Sequence, residues 1–383
     1  MASQRFVFTS VIFSRIAYAL CWFDASAAYP QMAAKFHYPS IYVLGLVTAA
    51  FLIGAGGFQV PAGIFASRYG VSRSSLVGLL AIGLTSLASA TSGNIGFQVI
   101  LRFLTGIGAA FYFAPAMVVV SELLGQNRSA STIGAYNGAF SLGAALALLI
   151  FTPLSVAIDW RLPFIVTGIL VIIALIENWF SFKGITNVPV GTYIENLKAI
   201  KNRTIWIVIV ALIGLNAAYN IVSQFGVSYS EYYLGFSPSL SGIISALVLI
   251  GAFFGAPIGG YLSDRFGIRR QMIFAPVLVA SVGILMLTLQ SVYLVAIATC
   301  LFGFFCSAST SNGFAFVTTI PEIGRKYSAV AIGLMNSISI IAGSIAAILF
   351  TPLADLLGYP TAWAIIAVVA IGFTPFVFLV KEG

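Results

Sequence analysis

Apolar runs of about 20 residues recur twelve times along the chain. An α-helix that rises 1.5 Å per residue needs about this length to cross a hydrocarbon layer ~30 Å thick. Only 7% of the 383 residues are charged, against ~25% in a typical soluble domain. The sequence therefore predicts an all-α membrane protein with twelve transmembrane helices, spans 1 to 12. The runs lie at about residues 6–29, 41–66, 75–92, 95–119, 131–153, 162–182, 204–228, 239–262, 272–290, 292–319, 329–351 and 360–380.

The basic residues indicate how the chain is oriented. Most of them lie between the apolar runs rather than on one basic face, so the net charge of +8 does not predict a nucleic-acid partner. With a cytoplasmic N-terminus, only Lys35 and Arg161 fall outside, which predicts a multi-pass protein of the cell membrane with both termini in the cytoplasm. The basic residues then on the inside are Arg5, Arg68, Arg73, Arg128, Lys183, Lys198, Lys201, Arg203, Arg265, Arg269, Arg270, Arg325, Lys326 and Lys381.

The two halves of the chain are copies of each other. The segment LIGAGGFQVPAGIFASRYGVSR at 52–73 aligns without gaps on LIGAFFGAPIGGYLSDRFGIRR at 249–270, and the FTPL of residues 151–154 recurs at 350–353. Repeats of six spans keep the same orientation, so we expect two bundles related by a pseudo-twofold axis along the membrane normal. The predicted domains are residues 1–182, a cytoplasmic linker with a short surface helix at 183–203, and residues 204–383.

The loop GYLSDRFGIRR at Gly260–Arg270 resembles the G-x-L-x-D-R-x-G-x-R-R/K signature of the major facilitator superfamily, and it lies between spans 8 and 9, where that family carries it. The first half has GIFASRYGVSR, with Ser67 at the Asp position, and span 4 has the run Arg102, Gly106 and Gly108. The resemblance covers essentially the whole chain and implies alternating access by two rocking bundles. It also implies a cytoplasmic gate latch, formed by Arg68, Arg73, Glu122, Arg128, Asp264, Arg265 and Arg270.

Two branches of the family remain open. YALCWFDASAAYP in span 1, the run at 59–63 and Arg102 look like the anion:cation symporters, although Ala25 and Ala109 stand where that branch usually has Arg and an acid. The alternative is a proton-coupled antiporter that exports drug-like compounds. Gly134, Gly138 and Gly143 fit its span 5 motif, but Ala139 replaces the proline.

Ionisable residues within spans are functional candidates because burying a charge in a bilayer costs at least ~2.5 kcal/mol. Asp24 of span 1 and Arg102 of span 4 lie at similar depth and can pair. Protonating Asp24 would then release Arg102 to bind an anionic or polar substrate. The alternative is a static salt bridge that fixes the bundle.

A second set of candidates lies on the other face of span 1. Arg15 is nine residues from Asp24, so the two lie on opposite faces of a straight helix. Arg15, Tyr18 and Trp22 form an aromatic stripe that we predict to be the wall of a substrate cavity. We also predict that Tyr112 of span 4 binds the substrate. The alternative for Arg15 is that it extends toward the cytoplasmic headgroups.

The second half offers neutral polar residues instead of mid-span acids. Polar residues share one face of span 7, and we predict that they bind a ligand through hydrogen bonds. The alternative for each Asn is a hydrogen bond between helices. The repeat-related Asn137 and Asn336 are predicted to face each other. The candidates from span 7 and span 10 are Asn216, Tyr219, Asn220, Gln224 and Asn312.

Other functions lack the residues they require. The one histidine and one clear mid-span acid do not make an enzyme site, no Walker sequence predicts ATP drive, and three cysteines predict neither a disulfide framework nor a metal site. Gated exchange suits two halves with a latch loop better than a channel does. We therefore expect a secondary transporter without cofactor, a monomer in the lipid bilayer, moving a small organic anion together with protons.

Overall fold

The computed structural model describes residues 4–37, 42–123, 129–183, 202–268, 270–318 and 324–380, and within these residues it is helical without strands. Within these described residues, fourteen α-helices follow one another. They are α1 (Gln4–Lys35), α2 (Tyr42–Gly57), α3 (Gln59–Tyr69), α4 (Val71–Ala90), α5 (Ile95–Leu123), α6 (Ser129–Leu146), α7 (Thr152–Ala157), α8 (Leu162–Ser181), α9 (Arg203–Tyr232), α10 (Pro238–Phe266), α11 (Gln271–Met286), α12 (Val292–Thr318), α13 (Gly324–Leu357) and α14 (Tyr359–Phe373).

These helices correspond in order to the twelve predicted spans. Ten candidate spans in the described part of the chain are long and apolar enough to cross a membrane. The pair α2 and α3 forms an eleventh, bent by 41° at its break, and the 16 residues of α11 form a shorter apolar helix. The fold is therefore that of an all-α membrane protein.

Glycines bring helices into backbone contact at equivalent places in the two repeats. A Cβ added at Gly106 of α5 would lie 2.1 Å from the carbonyl oxygen of Phe51 in α2, and one at Gly303 of α12 would lie 2.0 Å from that of Val248 in α10. Both pairs are related by the 197-residue offset of the aligned segments. No larger residue fits without moving a backbone, so the internal repeat of the sequence is also a repeat of helix packing.

The loops that resemble the family signature also turn in a repeat-related way. Gly70 follows α3 with φ of 95°, and Gly267, 197 residues later, follows α10 with φ of 65°. Each glycine N–H bonds the carbonyl four residues earlier, at Ala66 and Ser263. Positive φ is costly for residues with a Cβ, which explains why both loops carry glycine here.

The chain divides into two compact units. Unit 1 comprises residues 1–38 and 50–193, and unit 2 comprises residues 39–49 and 194–383. The first part of α2 belongs to unit 2, where the Ser344 hydroxyl donates a hydrogen bond to the carbonyl of Ala49 over 3.1 Å. The predicted surface helix of the linker, at 193–200, lies outside the described residues, so the domain boundaries stay a prediction.

Helix α6 ends in a π turn at Ala147–Phe151, and α7 begins directly after it. The residue after the π turn, Thr152, is followed by Pro153, which has no N–H group to donate to an α-helical hydrogen bond. The equivalent FTPL segment of the second half lies within the continuous helix α13. The two repeats therefore differ locally, because only the first has a π turn at this segment. Such turns are often found at functional sites.

Candidate functional site

Asp24 and Arg102 form a buried ion pair between α1 and α5. Nη1 of Arg102 lies 2.8 Å from Oδ1 of Asp24, and the two side chains are 2% and 0% exposed. Nη2 of Arg102 donates a second hydrogen bond, of 2.8 Å, to the carbonyl of Cys21, one turn before Asp24 on α1. The structure therefore brings together the two residues that the sequence assigned to proton coupling.

The ion pair has an aromatic neighbour and two polar atoms that make no hydrogen bond to the described residues. The guanidinium of Arg102 lies over the ring of Phe51, 4.5 Å from its centroid, a contact that favours the cation. Oδ2 of Asp24 and Nε of Arg102 have no hydrogen-bond partner among the described residues. Each charge thus keeps an unused hydrogen-bonding direction, which a substrate or water can take up.

Arg15 lies in a cage of four aromatic rings and is 4% exposed. The guanidinium carbon is 4.5 to 4.8 Å from four ring centroids, those of Tyr18, Phe113, Tyr136 and Phe140. Its Nε and Nη1 have no hydrogen-bond partner in the described part of the chain. The side chain is therefore held inside unit 1 by cation–π contacts rather than extended toward the headgroups.

The predicted aromatic stripe packs against helices α5 and α6. The rings of Tyr18 and Tyr112 are 5.3 Å apart, and the Tyr112 hydroxyl shares a 2.8 Å hydrogen bond with Ser14. Trp22 makes an edge contact with Phe140. The sequence reasoning missed Tyr136 and Phe140, although their i and i+4 spacing on span 5 predicts one shared helix face.

In unit 2, the polar face of α9 bonds both to neighbouring helices and to its own backbone. The Asn216 side chain donates to the Ser339 hydroxyl over 3.1 Å and accepts from Thr310 over 3.4 Å. The Asn220 amide donates to its own helix at the carbonyl of Asn216 and packs against Gly343 of α13. These hydrogen bonds favour the interhelical alternative for Asn216.

The remaining substrate candidates are spread over both units. Asn137 is exposed and lies in unit 1, whereas Asn336 and Tyr219 are partly buried in unit 2. Gln224 and Asn312 are buried, and Asn312 donates to the carbonyl of Ala308 on its own helix. The predicted facing of Asn137 and Asn336 stays a prediction because they belong to different units.

The predicted gate residues are described only in part. Arg68, Arg73 and Arg265 are exposed, and Arg265 donates to the hydroxyl of Tyr261, one turn earlier, over 3.2 Å. Arg270 is partly buried. The side chains of Glu122 and Asp264, and Arg128 altogether, lie outside the described residues, so the latch stays a prediction.

Comparison with known proteins decides the family. The family model of the Major Facilitator Superfamily matches residues 8–233 and again residues 209–383. This chain belongs to the major facilitator superfamily. The two overlapping matches together cover almost the whole chain. Superfamily membership makes the protein a multi-pass membrane transporter of small solutes and, at the level of the family, not an enzyme.

Characterised relatives of the superfamily have different activities. The chain is 27% identical over 240 residues to the hexuronate transporter of Bacillus subtilis (strain 168), a match that spans 58% of this chain but only 55% of that protein. It is 27% identical over 300 residues to the fosmidomycin resistance protein of Escherichia coli (strain K12), covering 74% of this chain and 71% of the relative. A crystal structure of the nucleoside transporter NupG shares the fold, with a TM-score of 0.80, 13% identity, and coverage of 99% of this chain and 100% of that chain.

Proposed function

We propose that this protein is a proton-coupled symporter of a small organic anion. The observation that carries the proposal is an excess of buried positive charge in unit 1. Arg15, Asp24 and Arg102 are the charged side chains that the structure buries among its described residues, and two of the three are cations. Burying an unpaired cation in the membrane is costly, so an anionic substrate that neutralises it binds favourably.

In this proposal Asp24 couples the proton. When Asp24 is ionised, Arg102 is held by a carboxylate and by the Cys21 carbonyl. Protonation removes the negative charge, so the carboxyl group no longer neutralises Arg102 and a substrate anion competes for the guanidinium. Loss of the proton restores the pair and expels the anion, which links the two movements in the same direction.

Arg15 supplies the second point of recognition. Four ring faces stabilise its charge without offering an anion, and its Nε–H and Nη1–H have no partner in the described residues. A carboxylate accepts two parallel hydrogen bonds from such a planar group. We therefore assign substrate affinity to Arg15 and coupling to the Asp24–Arg102 pair, while the neutral residues of α9 support helix packing in unit 2.

The test uses proteoliposomes that contain the purified protein and an internal pH dye. Labelled glucuronate serves as the first probe, because a relative is a hexuronate transporter, and a panel of mono- and dicarboxylates is tried next. We expect an acidic exterior to drive accumulation of one of these anions, with internal acidification in step with uptake. The proposal would be contradicted if an anion accumulated to the same level with and without the pH gradient and no protons moved with it.

A proton-coupled exporter is the second candidate, since the chain is also similar to the fosmidomycin resistance protein. The two functions differ in the sign of the gradient they use. An antiporter accumulates solute in a vesicle whose interior is the acidic side, whereas a symporter requires the acidic exterior. The same vesicles with the gradient reversed therefore separate the two proposals.

The remaining expectations are part of the same proposal. The positive-inside bias supports cytoplasmic termini in the cell membrane. We propose that the protein works as a monomer, with substrate, protons and lipid as its partners. Cysteine-accessibility labelling at both termini and light scattering in detergent test these two statements.

A further inference from the structure

Several buried polar atoms on the helices that carry the ion pair, and on their neighbours in unit 1, have no hydrogen-bond partner among the described residues. Gln98 stands out because its side chain is 0% exposed and neither its amide oxygen nor its amide nitrogen has a partner among the described residues. Native structures leave few such groups unsatisfied, and internal water commonly bonds those that remain. We call polar cluster the atoms Asp24 Oδ2, Ser86 Oγ, Ser89 Oγ, Gln98 Oε1 and Nε2, Arg102 Nε and Thr167 Oγ1, and unit 1 has further such atoms, among them Ser10 Oγ, Thr152 Oγ1 and Asn178 Oδ1.

Helix packing places these atoms near one depth. The hydroxyls of Thr85 on α4 and Thr105 on α5 share a 2.8 Å hydrogen bond. Because the two helices are antiparallel neighbours, Ser89, four residues after Thr85, lies level with the turn of α5 that carries Arg102. On α8, Gly168 packs against Leu87 of α4, so Thr167 lies at a similar level.

Gln98 extends this cluster toward one end of the bundle. It precedes Arg102 by four residues, so it lies on the same helix face and ~6 Å nearer the loop at 91–94. Thr91, Gly93 and Asn94 of that loop are exposed. Polar residues therefore follow one another along this part of unit 1, from the exposed loop to Gln98 and then to Arg102 and its partner Asp24.

The second repeat shows that helix packing does not require a glutamine and an arginine at the positions of Gln98 and Arg102. Gly106 and Gly303 are equivalent glycines of the two repeats. By the same offset, Gln98 corresponds to Val295 and Arg102 corresponds to Thr299. Val295 and Thr299 line a small cavity in unit 2, and the Thr299 hydroxyl is satisfied by its own helix at the Val295 carbonyl. At these two positions the same packing thus forms with an apolar residue and a threonine, so helix packing alone does not explain the buried Gln98 and Arg102 of unit 1.

From this cluster we infer that unit 1 contains an internal water site, anchored by the Gln98 amide, which carries protons between the 91–94 end and Oδ2 of Asp24. The inference rests on the proposed role of Asp24 in proton coupling. A protonated water passes one proton to Oδ2, so the carboxylate becomes a neutral carboxyl group and the water becomes neutral. Among the described residues, the guanidinium of Arg102 and the thiol of Cys21 are the groups within electrostatic range of Asp24.

The route is tested by hydrogen–deuterium exchange at Asp24. The full-length protein, in phosphatidylethanolamine–phosphatidylglycerol vesicles at acidic pH, is transferred from H₂O to D₂O while its infrared spectrum is recorded. The carboxyl band of Asp24 is the one that Asp24→Asn removes. We expect Gln98→Leu to slow the deuterium shift of this band roughly tenfold, the effect of losing one hydrogen-bonded step.

Thr299→Val is the matched control, because it alters the repeat-related position in unit 2, and we expect it to exchange at the wild-type rate. Wild-type exchange in Gln98→Leu would overturn the inference. An equal slowing in Thr299→Val would also overturn it, since the effect would then report a general loss of packing.

A second measurement needs no substitution. Hydroxyl radicals generated by X-rays oxidise buried side chains only where water is close, and the chain has two buried cysteines to compare. Cys21 lies beside the ion pair and is 0% exposed, and Cys306 of unit 2 is 2% exposed. We expect Cys21 to oxidise faster in these vesicles, and equal or slower oxidation would contradict an internal water site.

Neither measurement involves transport, so this inference and the proposed function can fail separately. Gradient-independent transport with fast exchange at Asp24 would remove the symport proposal and leave the water site. Gradient-driven transport with unchanged exchange in Gln98→Leu and no excess oxidation of Cys21 would do the reverse.

Discussion

Nη1 of Arg102 lies 2.8 Å from Oδ1 of Asp24, and both side chains are withdrawn from solvent. Two charges buried in this way stabilise each other, so removal of either one leaves the other unpaired in an apolar setting. The stability of unit 1 therefore depends on both residues together. In the proposed transport cycle the pair has two states, one with Asp24 ionised and one with Asp24 protonated.

The first prediction concerns stability. Arg102→Ala leaves a buried carboxylate, and we expect it to lower the free energy of unfolding by about 3–5 kcal/mol. The neutral double variant Asp24→Asn with Arg102→Gln should lose less than Arg102→Ala. Chemical unfolding in detergent provides the measurement. Arg161→Ala is the control, because the side chains of its pair with Asp159 are 39% and 44% exposed and solvent-accessible pairs contribute about 0–1 kcal/mol. Equal losses in single and double variants would show that the pair is not coupled.

The second prediction concerns coupling. Asp24→Asn cannot gain or lose a proton, so we expect it to lose accumulation driven by an acidic exterior. Solute exchange at equal concentrations and equal pH should persist, because it needs no net proton movement. Radiolabelled uptake and counterflow in the same vesicles measure both. Gradient-driven accumulation at the wild-type level in Asp24→Asn would remove Asp24 from the coupling step.

The third prediction concerns Arg15. Arg15→Gln removes the caged charge, and we expect carboxylate affinity to fall at least tenfold, corresponding to about 1.4 kcal/mol. Arg15→Lys keeps the charge but loses the planar pair of donors, so an intermediate loss is expected. Calorimetric titration with the transported anion provides the measurement. Unchanged affinity in Arg15→Gln would assign the residue to packing alone.

The fourth prediction concerns the glycine crossings. A methyl group at Gly106 would lie 2.1 Å from the Phe51 carbonyl oxygen, so Gly106→Ala must push α2 and α5 apart. We expect a loss of about 1–3 kcal/mol, and a similar loss for Gly303→Ala in unit 2. Gly63→Ala is the matched control because a Cβ there meets open space. Thermal unfolding of the three variants measures the difference, and a stable Gly106→Ala would contradict the close crossing.

The fifth prediction concerns α9. If Asn216 bonds Ser339 to hold helices together, Asn216→Ala and Ser339→Ala should each cost about 0.6 kcal/mol, in the range of interhelical bonds in membranes. Their double variant should cost little more than either one, because both remove the same bond. Substrate affinity should be unchanged in all three. A selective loss of affinity in Asn216→Ala would restore its predicted role in ligand binding.

Much of the fold can be predicted from the sequence because length, charge placement and repetition act over whole spans. Similar depth within two spans also predicts that Asp24 and Arg102 can pair. Helix periodicity gives the direction of a side chain but not its neighbours, so it does not reveal the rings around Arg15 from α5 and α6. Gln98 escapes sequence reasoning for a related reason, since a glutamine near a helix end looks solvated until the packing shows it buried. The π turn has no counterpart in the matching FTPL segment of the second half, so sequence comparison could not reveal it.

The π turn at Ala147–Phe151 separates Tyr136 and Phe140 from the end of span 5 that contacts Gln31 through Ser155. A turn that changed from π to α geometry would rotate α6 by about 100° relative to α7. Such a rotation would carry both rings away from Arg15 and uncover its charge. The access of an anion to Arg15 would then depend on the geometry of this one turn, and spin labels on α6 and α7 would report a change of the turn when an anion binds.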